Sequence, residues 1–215
     1  MKSIKYIVSV LGAGLLTFGT FSCSDFLDTN PSTSVADSEV FVTVAGAQAA
    51  LNGCYYHMRA YNSGGADRWD DCGIPSMQMV LDVSGDDMIV WGGWYNYTYN
   101  YWGETRGDIF RSGAIWKFHY TLINNANGIL ANIDNCEGDD IDKQYVKGQA
   151  LAIRGWAYFS LARIFQQTYI IAQDMPGMPI YTEPTTDATE GKPRGTLKDT
   201  YAQVLSDLTQ AETLL

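Results

Sequence analysis

The sequence predicts an all-α chain, built from helical hairpins and long irregular loops, and three observations carry that reading. Apolar residues recur at helical spacing in four separated stretches. The segments between them concentrate Gly, Asp and Pro and show no helical period. The longest periodic stretch also carries small residues every seven positions, at Gly148, Gly155 and Ala162, a seam on which a second helix can lie closely.

The chain opens on Lys2 and Lys5 and then a charge-free, mostly apolar run from Tyr6 to Phe21, broken by Gly12, Gly14 and Gly19. That run is shorter than the ~20 residues of a spanning helix and reads as an export signal. Thr20-Phe21-Ser22-Cys23 follows, a small residue before a cysteine whose thiol can take a diacylglyceryl group and whose freed amine can be acylated. Two or more acyl chains, at roughly 0.8 kcal/mol per buried CH₂, make a stable anchor. The alternatives are a secreted chain cut near Ser22, with Cys23 a spare thiol, or an uncleaved anchor. The domain reading is a signal over 1–22, a lipidated tether over 23–42 and a helical domain over 43–215. The tether holds Asp25, Asp28, Asn30 and Pro31 among Ser and Thr without apolar period.

Ala47, Ala50, Leu51, Cys54, Tyr55 and Met58 give the first helix one buried face, ended by Asn62-Ser63-Gly64-Gly65. Residues 63–113 read as mostly loop with one short helix. Trp116, Tyr120, Ile123, Asn127 and Leu130 form the seam of the next helix, which closes in the acidic turn 137–140. A helix from about Asp142 to Gln166 packs Val146, Ala150, Ile153, Ala157 and Leu161, and its small-residue seam is similar to that of tetratricopeptide hairpins. Pro176, Pro179, Pro184 and Pro193 make 175–194 an ordered crossing loop or a linker. Thr196 with Asp199 offers a capping box to a last helix carrying Leu197, Tyr201, Val204, Leu208 and Ala211. The helix ends on apolar Leu214-Leu215 with no Gly, Asn or Pro stop signal, as expected of a truncated chain, and Leu205, Leu208 and Leu215 are expected to form an exposed apolar stripe.

Composition narrows the function. The 215 residues are 46% hydrophobic and 18% charged, enough to build a core and too apolar for a disordered chain. Lys plus Arg is 14 against 24 Asp plus Glu, a net charge of −10, which moves to −12 when residues 1–22 and their two Lys are removed. Neither a nucleic-acid backbone nor an anionic membrane surface suits that balance. Two His and no GxSxG, HExxH, phosphate-loop or dinucleotide fingerprint leave no catalytic or cofactor signature. His57 and His119 are expected at the surface or as caps. Cys54, Cys72 and Cys136 allow at most one disulfide, and buried small hydrophobes are the favoured reading. Asp70-Asp71, Asp86-Asp87 and Asp139-Asp140 are read as loop acids or helix caps, since adjacent carboxylates diverge and do not straddle a glycosidic bond.

The sharpest local feature is Trp91, Trp94, Tyr95, Tyr97, Tyr99, Tyr101 and Trp102, seven aromatics in twelve residues interleaved with Gly, Asn and Thr. Flat rings stack on the C–H faces of sugars while Asn, Asp and Arg bond the hydroxyls. Trp91 and Trp94 are therefore the aromatic ligand candidates, with Asp86, Asp87, Asn96 and Arg106 as polar ones. The competing reading is aromatic packing of a long loop onto the helices. Arg154, mid-helix between Ile153 and Gly155, is expected to make a structural ion pair or cap to a neighbouring helix.

These residues resemble the amino-terminal half of the SusD/RagB-like family of Bacteroidota outer-membrane lipoproteins. The resemblance rests on Cys23-Ser24-Asp25-Phe26-Leu27-Asp28 after the signal and on Trp116, Tyr120, Ile123 and Asn127-Gly128-Ile129-Leu130. It continues through Gly148 to Leu161, Gly177-Met178-Pro179-Ile180, Tyr201, Asp207-Leu208 and Ala211. Gly155 stands where the family usually has Ala, and Gln166-Gln167-Thr168-Tyr169 replaces a Gly-containing turn. The resemblance implies a truncated SusD-like domain: a helical, tetratricopeptide-containing lid, lipid-anchored and facing the cell exterior. Such a lid captures glycans, or peptides in some members, and delivers them to a SusC-like TonB-dependent transporter without catalysis. In starch-binding members a loop at a comparable place supplies an aromatic of the glycan-binding arc. Rival readings are a peptide- or protein-binding helical repeat and, less favoured, a glycoside hydrolase.

Overall fold

The computed structural model describes residues 40–65, 72–83 and 110–215. Among them stand six α-helices, α1 Val44–His57, α2 Ile74–Val83, α3 Phe110–Asn132, α4 Asp140–Phe165, α5 Tyr169–Ala172 and α6 Leu197–Leu214, with a 3₁₀ turn at Ile133–Asn135. No β-strand occurs among the described residues, where Thr43 with Glu137 and Pro176 with Thr196 form isolated bridges.

Helices α1, α4 and α6 each begin where the sequence supplies an oxygen for the otherwise unpaired first-turn amides. Thr43 accepts from Gly46 N–H at the start of α1 and Asp139 from Ile141 N–H at the start of α4. Thr196 and Asp199 complete a reciprocal capping box on α6. Asp139 and Asp140 are thus cap and first turn, where carboxylates meet the positive end of the helix.

Helices α3 and α4 form the central hairpin, and α1 lies across both. One core gathers Leu51 and Cys54 of α1, Phe118, Leu122 and Ile129 of α3, and Val146 and Ile153 of α4. A second sits on the other side of α3, where Ile123 meets Tyr158 and Leu161 of α4, Met178 of the crossing loop and Val204 of α6. Helix α3 therefore buries two faces, which is why His119, expected at the surface, is 2% exposed. His57 is likewise half-buried, its ring stacked 4.9 Å from that of Phe118. Cys54 and Cys136 are buried free thiols, and Cys72 is half-buried.

The small-residue seam of α4 receives α6. A Cβ on Gly148 would stand 2.9 Å from Leu215 Cγ, and one on Gly155 would stand 3.0 Å from Leu208 Cδ2 and 3.2 Å from Asp207 Cβ. Ala162 continues the line into a small cluster with Leu197 and the flanking Tyr201. Leu205 is exposed as its spacing predicts, Leu208 and Leu215 rest on α4 at the edge of the contact while staying partly exposed, and Val204, Asp207 and Ala211 are buried.

At the centre of this contact Arg154 makes a two-pronged ion pair with Asp207, Nε to Oδ2 at 2.9 Å and an Nη to Oδ1 at 2.6 Å. Its other Nη donates to Asn127 Oδ1 at 2.8 Å, and Gln203 donates to Asp207 from one turn back. Asp207 is wholly buried and the Arg154 side chain 9% exposed, so neither charge has much solvent to fall back on. Removing one partner leaves the other buried and unpaired, which typically costs about 3–5 kcal/mol. Asp207→Ala should lower urea-denaturation stability by that order. Adding Arg154→Met should recover part of the loss in a double-mutant cycle.

Candidate functional site

The crossing loop between α5 and α6 is ordered because helical side chains hold its backbone at short intervals. Gly177 N–H donates to the Gly195 carbonyl at 2.6 Å, and Met178 N–H to Thr200 Oγ1 at 2.8 Å. Tyr120 donates its hydroxyl to the Pro179 carbonyl. The Tyr158 hydroxyl donates to the Tyr181 carbonyl at 3.0 Å and accepts the Tyr181 N–H at 2.7 Å. Asn127, its oxygen already taken by Arg154, gives its amino group to the carbonyls of Tyr181 and Glu183. Asn124 Oδ1 accepts both the backbone and hydroxyl protons of Thr185. One face of α3 thus reads the loop residue by residue, and of these only Tyr120 and Asn127 stand in its sequence seam.

Between α3 and this loop lies a cleft of about 300 Å³. Its aromatic wall is Trp116, Tyr120 and Tyr181, with the Trp116 and Tyr120 rings 4.9 Å apart and Tyr181 edge-on to Tyr120 at 6.1 Å. Thr186 and Thr189 line the opposite side. Beyond Asn124, Thr185 and Thr186 the cleft meets a wider groove of about 760 Å³. That groove runs between α1, the turn at Tyr61 and Asn62, and α3. The three shared residues form the saddle between the two spaces.

The lining is unusual for so acidic a chain. Among the described residues, neither space is lined by Asp, Glu, Lys or Arg, and His57 is the sole ionisable side chain apart from the tyrosines. Burial pushes the hydroxyl of Tyr120 far above its ordinary range and that of Tyr158, beneath the wall, up to about 12, so these two phenols add no charge. Aromatic faces, amides and threonine hydroxyls without charge can hold a neutral, hydroxyl-bearing ligand. The groove's described lining offers no pair of carboxylates for acid and nucleophile chemistry.

The sequence candidates Asp86, Asp87, Trp91, Trp94, Asn96 and Arg106 lie outside the described residues, as does Cys23. The groove's own polar residues, Asn124, Thr185, Thr186 and Thr189, were not singled out by sequence. The available signal is the Asn124-Asn125 pair on a predicted helix and, beyond the next long helix, a threonine-rich loop.

The sequence model of the SusD-like family described as "Starch-binding associating with outer membrane" matches residues 25–215. The chain belongs to the SusD-like family. It is 29% identical over 170 residues to SusD-like protein P2 of Formosa agariphila, covering 77% of this chain and 30% of that protein. A SusD-like carbohydrate-binding protein from Bacteroides vulgatus superposes with a TM-score of 0.72 at 33% identity, over 80% of this chain and 36% of that one. A SusD superfamily protein from Bacteroides thetaiotaomicron gives 0.59 at 25% identity, over 81% and 38%. The chain thus spans about a third of the length of these relatives.

On another side of the hairpin, His119 is enclosed by Trp156 and α2. Its Nδ1 donates to the Ile115 carbonyl at 2.8 Å, which fixes the neutral tautomer. Burial drives its pKa down to about 4 from an ordinary 6.5, with the Ile115 bond opposing and His57 adding to the shift. A group that binds its proton more weakly when folded removes stability as pH falls. The loss starts below pH 6.5 and is complete below about 4, and it amounts to roughly 3 kcal/mol. Urea midpoints followed across that window should fall in the natural chain and hold more nearly level in His119→Asn.

Proposed function

We propose that this SusD-like protein is a lipid-anchored protein of the outer membrane, facing the cell exterior, that binds oligosaccharide nutrients and passes them to a SusC-like TonB-dependent transporter. The observation that carries the reading is the family match across residues 25–215, to a family described as starch-binding and associated with the outer membrane. The named carbohydrate-binding relative of the same fold supports it. A groove with an aromatic wall and no Asp, Glu, Lys or Arg among its described lining residues, built on the helical hairpin, is the kind of surface that the reading requires.

In this account residues 1–22 are the export signal, Cys23 carries the lipid and residues 23–42 lead away from the bilayer. Trp91 and Trp94 supply stacking surface, and Asp86, Asp87, Asn96 and Arg106 bond sugar hydroxyls. The protein binds and hands over its ligand, and chemistry on the glycan belongs to other proteins.

Native gels cast with single polysaccharides test the binding. Retardation by a polysaccharide without release of reducing ends is the expected result, and sustained release would replace binding by hydrolysis. Exchanging both Trp91 and Trp94 for Ala should weaken retardation at least tenfold with helical signal intact, whereas unchanged affinity would remove these two rings from the site. Cys23→Ser should abolish incorporation of labelled palmitate and release the protein from the membrane fraction.

A further inference from the structure

The aromatic cleft and the groove beside α1 share the Asn124, Thr185 and Thr186 saddle, so together they make one continuous surface along α3. We propose that this surface binds a single uncharged oligosaccharide chain, with one sugar ring against the Trp116 and Tyr181 wall and later units passing over Asn124 into the groove beside α1. The assignment deepens the glycan-binding reading and rests on it. Nothing in it depends on Trp91 or Trp94.

Three observations point to this occupant. First, the described lining of both spaces is without carboxylate, ammonium or guanidinium groups in a chain of net charge −10. A charged peptide or an acidic sugar would meet no opposite charge from Asp, Glu, Lys or Arg among the described lining residues, and a charge buried without a partner is costly. Second, Asn124 spends its oxygen on Thr185 and makes no other hydrogen bond, so both Nδ2 protons are available to a ligand at the point where the two spaces meet. Trp116 likewise keeps an indole N–H without a hydrogen bond. Third, the wall is held from behind. Tyr120 and Tyr158 are tied to loop carbonyls, and Trp116 packs edge-on against Phe165 at 5.1 Å, so little ordering entropy remains to be lost on binding.

Chain length matters as well. A cleft of about 300 Å³ is at the lower limit of small-ligand sites, while the wider groove extends it severalfold. Affinity should therefore rise from disaccharide to longer chains of the same linkage.

Two substitutions probe the surface without disturbing the fold. Asn124→Asp keeps the acceptor that Thr185 needs and replaces only the free amino donor. Gly53 lines the wider groove on α1, and a Cβ there would meet nothing within 4 Å. Gly53→Phe therefore fills the groove and also replaces a helical glycine with a better helix former. The experiment is isothermal titration of the full chain with maltose through maltoheptaose, and with the matching cello-, laminari- and xylo-oligosaccharide series. Melting temperature is followed in parallel.

The expected result is that at least one neutral series binds with affinity growing with length. Asn124→Asp should lower the affinity for the long members about tenfold. Gly53→Phe should abolish the gain with length while sparing the disaccharide, with no loss of melting temperature in either variant. Glycan binding that both variants retain unchanged would overturn the groove assignment and leave the glycan reading standing. A natural chain that binds no member of any series would overturn both. Binding of uncharged peptides that Gly53→Phe removes, with glycan affinity untouched, would assign the groove to peptides instead.

Discussion

Arg154 and Asp207 are two opposite charges placed where neither can be solvated, and most of the described structure is arranged around their pairing. The guanidinium comes from the middle of α4 and the carboxylate from α6, and a third contact takes the amide of Asn127 on α3. Asn127 in turn holds the backbone at Tyr181 and Glu183. One buried cation therefore fixes the relative position of three helices and, at one remove, the loop that walls the groove. A purely apolar contact could be as stable and would tolerate sliding. The fork geometry of Arg on a carboxylate does not, because a shift of one turn along α6 would strand both charges.

The polar chain continues outward from that pair with its side-chain donors placed on loop carbonyls until it reaches the groove. Asn127 has both amino protons committed, Tyr120 and Tyr158 give their hydroxyl protons to loop carbonyls, and the next donor outward, the amino group of Asn124 at the saddle, is unspent. The groove thus stands at the open end of that network rather than apart from it. Its neutrality has the same origin. The acidic residues that give the chain its charge are spent on caps and exposed turns, as at Asp139, Asp140 and Asp199, and the described walls of the groove contain none.

Much of this is legible in the sequence. The four long helical stretches, the capping box at Thr196 and Asp199, the close approach along Gly148 and Gly155 and the structural role of Arg154 all follow from spacing that depends on nearest neighbours along one chain segment. What escaped was pairing across sequence. Asp207 is 53 residues from Arg154 and no periodicity connects them. His119 was placed at the surface because an amphipathic seam describes a helix with one buried face, whereas α3 is packed on two. The groove was missed for the same reason. Asn124 and Thr185 are ordinary polar residues in a helix and a loop until the fold sets them 2.7 Å apart. The sequence candidates at 86–106 lie outside the described residues, so their legibility rests on composition alone.

The contact between α4 and α6 is made by residues that fit only as pairs, Gly148 beneath Leu215 and Gly155 beneath Leu208. Neither member of such a pair is free to change by itself. Where a relative carries Ala in place of Gly155, the side chain facing it must be trimmed or turned aside, or the helices must part by a few tenths of an ångström and take the Arg154 fork with them. The two positions should therefore drift through the family as coupled characters. That record of co-substitution would trace the register of α6 on α4 in members whose structures have never been determined.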